Sequence, residues 1–210
     1  MRAPGRTVSV AASNTISEAL LPVWASRLRR THPDTSLNVF PGNSQDVIDA
    51  VTAGRVDIGF VETSSIPRGL GSQVVGHDEL VVVVPPDHPW TRRRGGIDRQ
   101  EVSATPLILR EAGSGTRDHV DQAIPGHVPA AHTFPSTAAV RDAVRTTGIP
   151  TILSSLAIEG DLATGRLSTI TVRDLSMPRT LHAIWHPRQR PRGPAANLLR
   201  IASEALTAKG

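Results

Sequence analysis

The 210-residue chain has no cysteine and no tyrosine, and aromatic residues make up only 3% of it. Without cysteine there can be no disulfide, thiolate metal ligand or cysteine nucleophile, and a reducing, cytoplasmic setting is expected. With so few aromatics, the core has to be built from Val, Ile, Leu and Ala. Lysine is almost missing too, Lys209 being the only one. The glycine-rich stretch ILREAGSGTRDHV (108–120) therefore lacks the lysine that a G-x-x-x-x-G-K-[ST] phosphate loop requires. No apolar run approaches the roughly 20 residues of a membrane-spanning helix. The opening MRAPGRTVSV passes directly into strand-like alternation without an apolar leader stretch. Neither secretion nor a membrane partner is expected.

What is present is ordinary for a soluble globular protein: 39% hydrophobic and 20% charged residues, enough chain for one large domain or two small lobes. The formal net charge is +4, and the sequence pI of about 11.0 reflects bases that are nearly all arginine. TRRRGG (91–96) is a short cluster, not a stripe, and reads as a solvated loop instead of a nucleic-acid footprint.

The first half alternates between two periods. TVSVAA (7–12) places Val8, Val10 and Ala12 on one face of a strand. SNTISEALLPVWASRLRR follows as a helix, with Thr15 and Glu18 at capping-box spacing and Ile16, Leu20, Val23, Trp24 and Leu28 as its apolar stripe, ended by His32-Pro33. SLNVF (36–40) is a strand, PGNS a turn, QDVIDAVTAG a helix ending at Gly54, and VDIGFVE (56–62) a third strand. This βαβαβ order requires a parallel sheet covered by helices.

After the loop TSSIPRGLG, ELVVVVPPDHP (79–89) begins as a buried strand, and the scheme repeats. PLILR, AHTF, TILSS, LSTITV and TLHAIWHP read as strands. Thr116 to Ile124, STAAVRDAVRTTG, LAIEGDLATG and the closing PAANLLRIASEALTAK read as helices. FPGNSQDVIDAVTAG (40–54) and FPSTAAVRDAVRTTG (134–148) share a strand end, a polar helix start and a terminal Gly. Two amphipathic helices can match in this way by chance; two lobes of similar plan would also produce it.

Four polar turns fall where strands of such sheets end: Ser13-Asn14-Thr15, Gly42-Asn43-Ser44, Gly113-Ser114-Gly115-Thr116 and Ser136-Thr137. Each taken alone is a simple N-cap. Together they offer hydroxyls and free N–H groups at positive helix ends, in the place where open α/β sheets bind ligands, so a small carboxylate or oxyanion is the expected guest. Glu62 lies at the same level; it either pairs with Arg110 or accepts from a donor on the ligand. Arg110 is the other member of that pair or a counter-ion for the ligand, since guanidinium grips carboxylates through two bonds.

Catalytic patterns do not emerge. Ser114 is not in a G-x-S-x-G elbow, and no acid–His order accompanies it. His182 and His186 lie four apart on an expected strand, where that spacing makes no helical metal face. No enzyme activity, metal or cofactor is expected.

Taken in order, VAASNTISEALLPVWASRLRRTHPDTSLNVFPGNSQDVIDAVTAGRVDIGFVE, DELVVVVPPDHP, LILREAGSGTRD and the AVRDAV and ILSSLAI segments resemble the effector-binding domain of LysR-type transcriptional regulators. The resemblance spans nearly the whole chain. It implies an α/β fold of two Rossmann-like lobes joined by two crossover strands, similar to type 2 periplasmic binding proteins. Lobe I would hold 1–84 and 186–210, and lobe II 85–185, with a small, often carboxylate-bearing effector in the cleft between them. The matching contact positions are Ser13, Thr15, Gly42, Asn43, Glu62 and Pro135 to Thr137. Two departures stand near the cleft: Ile149 where a Gly is common, and Thr133-Phe134 where an acidic residue often precedes the Ser-Thr turn. The resemblance further implies self-association as a dimer, or a tetramer at full length. It implies DNA contact only through an N-terminal winged helix-turn-helix, which this chain is expected to lack. A stand-alone cytoplasmic binding protein and an enzyme on the same scaffold are the competing readings.

Overall fold

The parallel βαβαβ unit expected from the first half is formed. The computed structural model describes residues 6–207 apart from 64, 125 and 127. Contacts divide the chain into two compact units, Met1–His77 with Thr180–Gly210, and Asp78–Arg179.

The first unit begins with β1 (Arg6–Ser13), α1 (Asn14–Ala19), α2 (Leu21–Thr31), β2 (Thr35–Gly42), α3 (Ser44–Thr52) and β3 (Ile58–Glu62), and continues into β4 (Gly71–Val84). The second unit takes up the later part of β4. A 3-10 turn at Pro89–Arg92 follows, then β5 (Ile97–Asp98), α4 (Arg99–Ala104), β6 (Leu107–Arg110), α5 (Gly115–Ala123), β7 (Ala130–Phe134) and α6 (Thr137–Thr147). Next come β8 (Thr151–Ser154), α7 (Ser155–Ala163), β9 (Ser168–Ile170) and β10 (Val172–Arg173). The strand β11 (Pro178–Trp185) leads back to the first unit, which α8 (Pro194–Thr207) completes.

In the first unit the strands lie in the order β2-β1-β3-β11-β4, with β1 parallel to β2 and β3, and β11 antiparallel to β3. The inner strand β3 is buried throughout, whereas the outer strand β2 is mostly exposed. Ala11 is as buried as Val10 and Ala12, because helices cover both faces of this sheet and leave no solvent face for period-2 alternation to mark.

The second unit has the order β4-β8-β6-β7, with β9 also on β4 and a small β5–β10 ladder apart. Period 2 divides its core cleanly. Leu80, Val82, Leu107, Leu109 and Ile152 join one apolar cluster, while Val83, Ile108 and Leu153 join the other with Val140, Val144 and Ile158. Each face of the sheet thus has its own packed layer.

The long helix expected from Ser13 onward is two helices. Leu20 closes α1 through its N–H to Ile16 O, and Pro22 sits in the first turn of α2, where a missing N–H breaks no helical bond. The cap is Ser13, whose Oγ accepts from Ile16 N at 3.3 Å, and not Thr15, which is buried. The break also shifts the helical phase, so Leu21, Trp24 and Leu28 are buried and Val23, expected in the stripe, is 51% exposed.

Two further differences have simple causes. β4 starts at Gly71 and not at residue 79, because its first half is largely exposed and polar, with Val75 its one buried side chain. α4 leaves no apolar period in the sequence because it is a six-residue helix with only Val102 buried. The units divide at His77/Asp78 and Arg179/Thr180, inside β4 and β11; the lobe boundaries implied by the family resemblance fall after 84 and 185. A strand that gives residues to both units changes neither composition nor period at the division.

Candidate functional site

The parallel strands of each unit end on polar turns, and each unit builds its own set. In the first unit, Ser13 at the end of β1 stands in register with Gly42 at the end of β2, and Ala12 with Phe60 on β3. Three turns are thereby brought side by side: Ser13 to Thr15, Gly42 to Ser44, and Glu62. Ser44 ties two of them together by donating to Glu62 O at 3.4 Å.

Asn43 caps α3 in a complete capping box: its Oδ1 accepts from Asp46 N at 2.9 Å, and Asp46 Oδ2 accepts from Asn43 N at 2.9 Å. Asp46 therefore already answers the positive end of α3. α1 has no acidic residue in its first turn, which leaves that end unneutralised. Thr15 is 3% exposed and makes no side-chain hydrogen bond among the described residues. Asn14, the middle residue of this turn, is partly buried.

Glu62 is the outlier. It is 2% exposed, and its Oε1 is buried with no hydrogen-bond partner among the described residues. A buried acceptor left unmatched costs about 1–3 kcal/mol. Ser44 donates to the backbone oxygen of Glu62, and Leu181 on β11 is the partner of Glu62 across the sheet.

In the second unit, β6 ends at Arg110 in register with Phe134 at the end of β7. The Arg110 side chain is buried and fully committed. Nε and Nη2 donate to the two oxygens of Glu111 at 2.8 and 2.9 Å, Nη1 donates to Thr137 Oγ1 at 3.1 Å, and Nη2 also reaches Pro135 O at 3.4 Å. Arg110 is thus the ion-pair partner of its chain neighbour Glu111. In place of the expected pairing with Glu62 or with a ligand, the partner is an acid one residue away.

Ser136 caps α6 by accepting from Ala139 N at 3.1 Å, and that helix has no acidic residue in its first turn. Ser114, at the start of α5, is 2% exposed and makes no side-chain cap bond. Asp118 already lies in the first turn of α5; burial is the main cause raising its carboxyl above the usual range, with Asp121 adding to it and His119 and Arg117 opposing. Thr116 Oγ1 accepts from Arg179 Nη1 at 3.1 Å, so its hydroxyl is part of the scaffold.

That last bond belongs to a buried network that the sequence did not reveal. Arg179 pairs with Asp78 through Nε at 2.9 Å and through Nη2, and Ser154 Oγ donates to Asp78 Oδ2 at 2.6 Å. Both charged side chains are fully buried. Their separation of about a hundred residues leaves no local pattern to find. No group of His, Asp and Glu among the described residues could hold a metal ion, and no helix there is long and apolar enough to cross a membrane.

Residues 2–207 match the family described as the LysR substrate binding domain. The HTH-type transcriptional regulator Rv2282c of Mycobacterium tuberculosis is 41% identical over 215 residues, which cover 95% of this chain and 68% of that protein. The Synechocystis PCC6803 CcmR regulatory domain, solved in complex with 2-PG, aligns with a TM-score of 0.84 at 17% identity over 95% of this chain and 97% of that one. The effector binding domain of QuiR in complex with shikimate aligns with a TM-score of 0.83 at 15% identity, over 97% of this chain and 98% of that one.

Proposed function

The chain belongs to the LysR substrate binding domain family, and on that premise we propose that it senses a small anion carrying a hydrogen-bond donor, held by the polar turns at the strand ends. A ligand-sensing regulatory domain is the role common to this family, and its α/β fold resembles that of type 2 periplasmic binding proteins. The observation that carries the ligand class is Glu62: a buried acceptor without a partner calls for a donor. The positive end of α1, capped by Ser13 and free of first-turn acids, favours negative charge. A hydroxy acid or an amino-bearing carboxylate meets both demands, and an inorganic oxyanion that carries a proton meets them in a smaller volume. The QuiR domain binds shikimate, an anion of this general kind.

The effector signal would pass to a helix-turn-helix head of the kind that gives the M. tuberculosis relative its name, with the whole acting in the cytoplasm. Ligand binding would act by population shift, favouring one of two states of the domain in proportion to its differential affinity. The domain would self-associate through the flank formed by α2 and β2. That flank exposes Val23, Val39 and Phe40 beside an apolar groove lined by Leu21, Pro22 and Leu37. Light scattering at increasing concentration should show a dimer; a monomer throughout would remove the self-association proposal.

The site is tested by thermal shift against a panel of hydroxy acids, amino acids and oxyanions, with the parent domain beside Ser13→Ala/Thr15→Ala. A compound that stabilises the parent should stabilise the double variant at least about tenfold less avidly, the share of one or two lost hydrogen bonds. Equal affinity in both proteins would mean that the effector binds elsewhere.

A further inference from the structure

The largest pocket described, about 570 Å³, lies at the opposite ends of the first unit's strands from the polar turns. It is lined at the amino end of β1 by Arg6, in the turn between α3 and β3 by Arg55 and Asp57, and in the loop from β11 to α8 by Gln189, Arg190 and Arg192. Four arginines thus line one pocket, and none of them makes a side-chain hydrogen bond or ion pair with another described residue.

Asp57 is the one acid in the lining, against four arginines. Its Oδ2 accepts from Ser9 N at 2.8 Å while its own N–H donates to Ser9 O at 2.9 Å, which laces the entry of β3 to β1. The floor is apolar, with Val8 and Val56 buried beneath the charged rim. Like charges held together without partners repel one another, and an arginine fork is shaped for phosphate or carboxylate oxygens. No aromatic side chain lines the pocket to stack a base.

We propose that this pocket is a second ligand site, for a small polyanion with two or more phosphate or carboxylate groups on one molecule. One such group engages Arg6 and Arg55 on the strand side, and another engages Arg190 and Arg192 on the loop ahead of α8. Bridging the two sides fixes that loop against the sheet, so the polyanion acts on the first unit independently of the effector at the strand carboxyl ends.

The test is titration calorimetry and thermal shift at constant ionic strength. Inorganic pyrophosphate and citrate serve as the phosphate and carboxylate probes, and chloride is the reference. Arg55→Gln/Arg190→Gln is the site variant. Its two side chains are exposed and make no internal bonds, so it should fold as the parent does, checked by circular dichroism. Saturable binding of pyrophosphate or citrate is expected, weakened about tenfold per arginine removed and unchanged in Ser13→Ala/Thr15→Ala. The better of the two probes identifies the anionic group preferred.

Three results would overturn the proposal. The first is no binding of either probe beyond the chloride reference. The second is binding that survives in Arg55→Gln/Arg190→Gln or is lost in Ser13→Ala/Thr15→Ala, which would place the anion at the strand carboxyl ends. The third is arginine-dependent binding of duplex DNA with no response to either small probe, which would make the patch a macromolecular contact.

Discussion

Glu62 is held in place by its strand and by Ser44, yet its buried oxygen has nothing to accept from. Glu62→Gln replaces the carboxylate by an amide of the same shape. The free domain should gain stability, by about 1 kcal/mol, because an uncompensated buried carboxylate is removed. Effector affinity should fall. Chemical denaturation of the ligand-free protein and titration of the best panel compound read the two effects separately. A loss of stability would mean that the carboxylate has a structural partner after all. At this scale the sequence was informative where a residue's role is local. Ser13, Asn43 and Ser136 could be singled out because capping works within three residues along the chain. Arg110 was misjudged because several acids could have met it and only geometry selects Glu111. Asp78 and Arg179 were invisible for the same reason at longer range. Removing one member of that buried pair, as in Asp78→Asn, should cost about 3–5 kcal/mol, while the paired apolar change Asp78→Leu/Arg179→Met recovers much of the loss. Urea midpoints of the two variants decide this; equal midpoints would show that the charges act separately.

Among the elements, those with a buried apolar face were legible and those without one were not. α3 and α6 form where helices are expected, burying Val47, Ile48 and Val51 in the first and Val140 and Val144 in the second, and Gly148, at φ +76°, ends α6 in the left-handed conformation anticipated for a terminal glycine. The mostly exposed first half of β4 and the six-residue α4 bury too little to imprint a period on the sequence. The α1–α2 break was hidden because Pro22 at a helix start and Pro22 inside a helix look alike in a linear pattern. A close approach between elements was equally hidden in the GFV of β3. A Cβ on Gly59 would stand 2.6 Å from Val51 Cγ2 and 2.9 Å from Val47 Cγ1. Gly59→Ala should therefore push α3 off the sheet and destabilise the protein by about 1–3 kcal/mol, the usual range for an overpacked core. A midpoint equal to the parent's in urea would show that α3 moves aside freely.

For the whole molecule, the order of strands and helices was enough to give an α/β fold, because a parallel sheet follows from βαβ connections whatever the detail of the loops; a division into two lobes came only from the family resemblance. Titration behaviour was not legible, since it depends on burial. His182, on β11 between its neighbouring strands, is held below the ordinary histidine value of 6.5 mainly by burial, with nearby His77 adding to this and a backbone hydrogen bond at Thr180 opposing. His88 is lowered as well, again by burial, with Asp87 opposing. A lowered histidine favours the neutral ring when folded, so the unfolded chain takes up the proton first. Stability should be full above pH 6.5 and fall as the pH drops through the lowered values. Melting temperatures between pH 7.5 and 5.5 should show this decline in the parent and a smaller one in His182→Asn, with His88 left to supply the remainder. Parallel curves would remove His182 from the explanation.

The most direct measurement of where this domain holds its effector is the mapping of backbone amide shifts by NMR during titration with the best-binding anion of the panel. Shifts concentrated at residues 13–16, 42–44 and 62 are expected. Shifts confined to other surfaces, with those turns unmoved, would contradict an effector site at the strand ends.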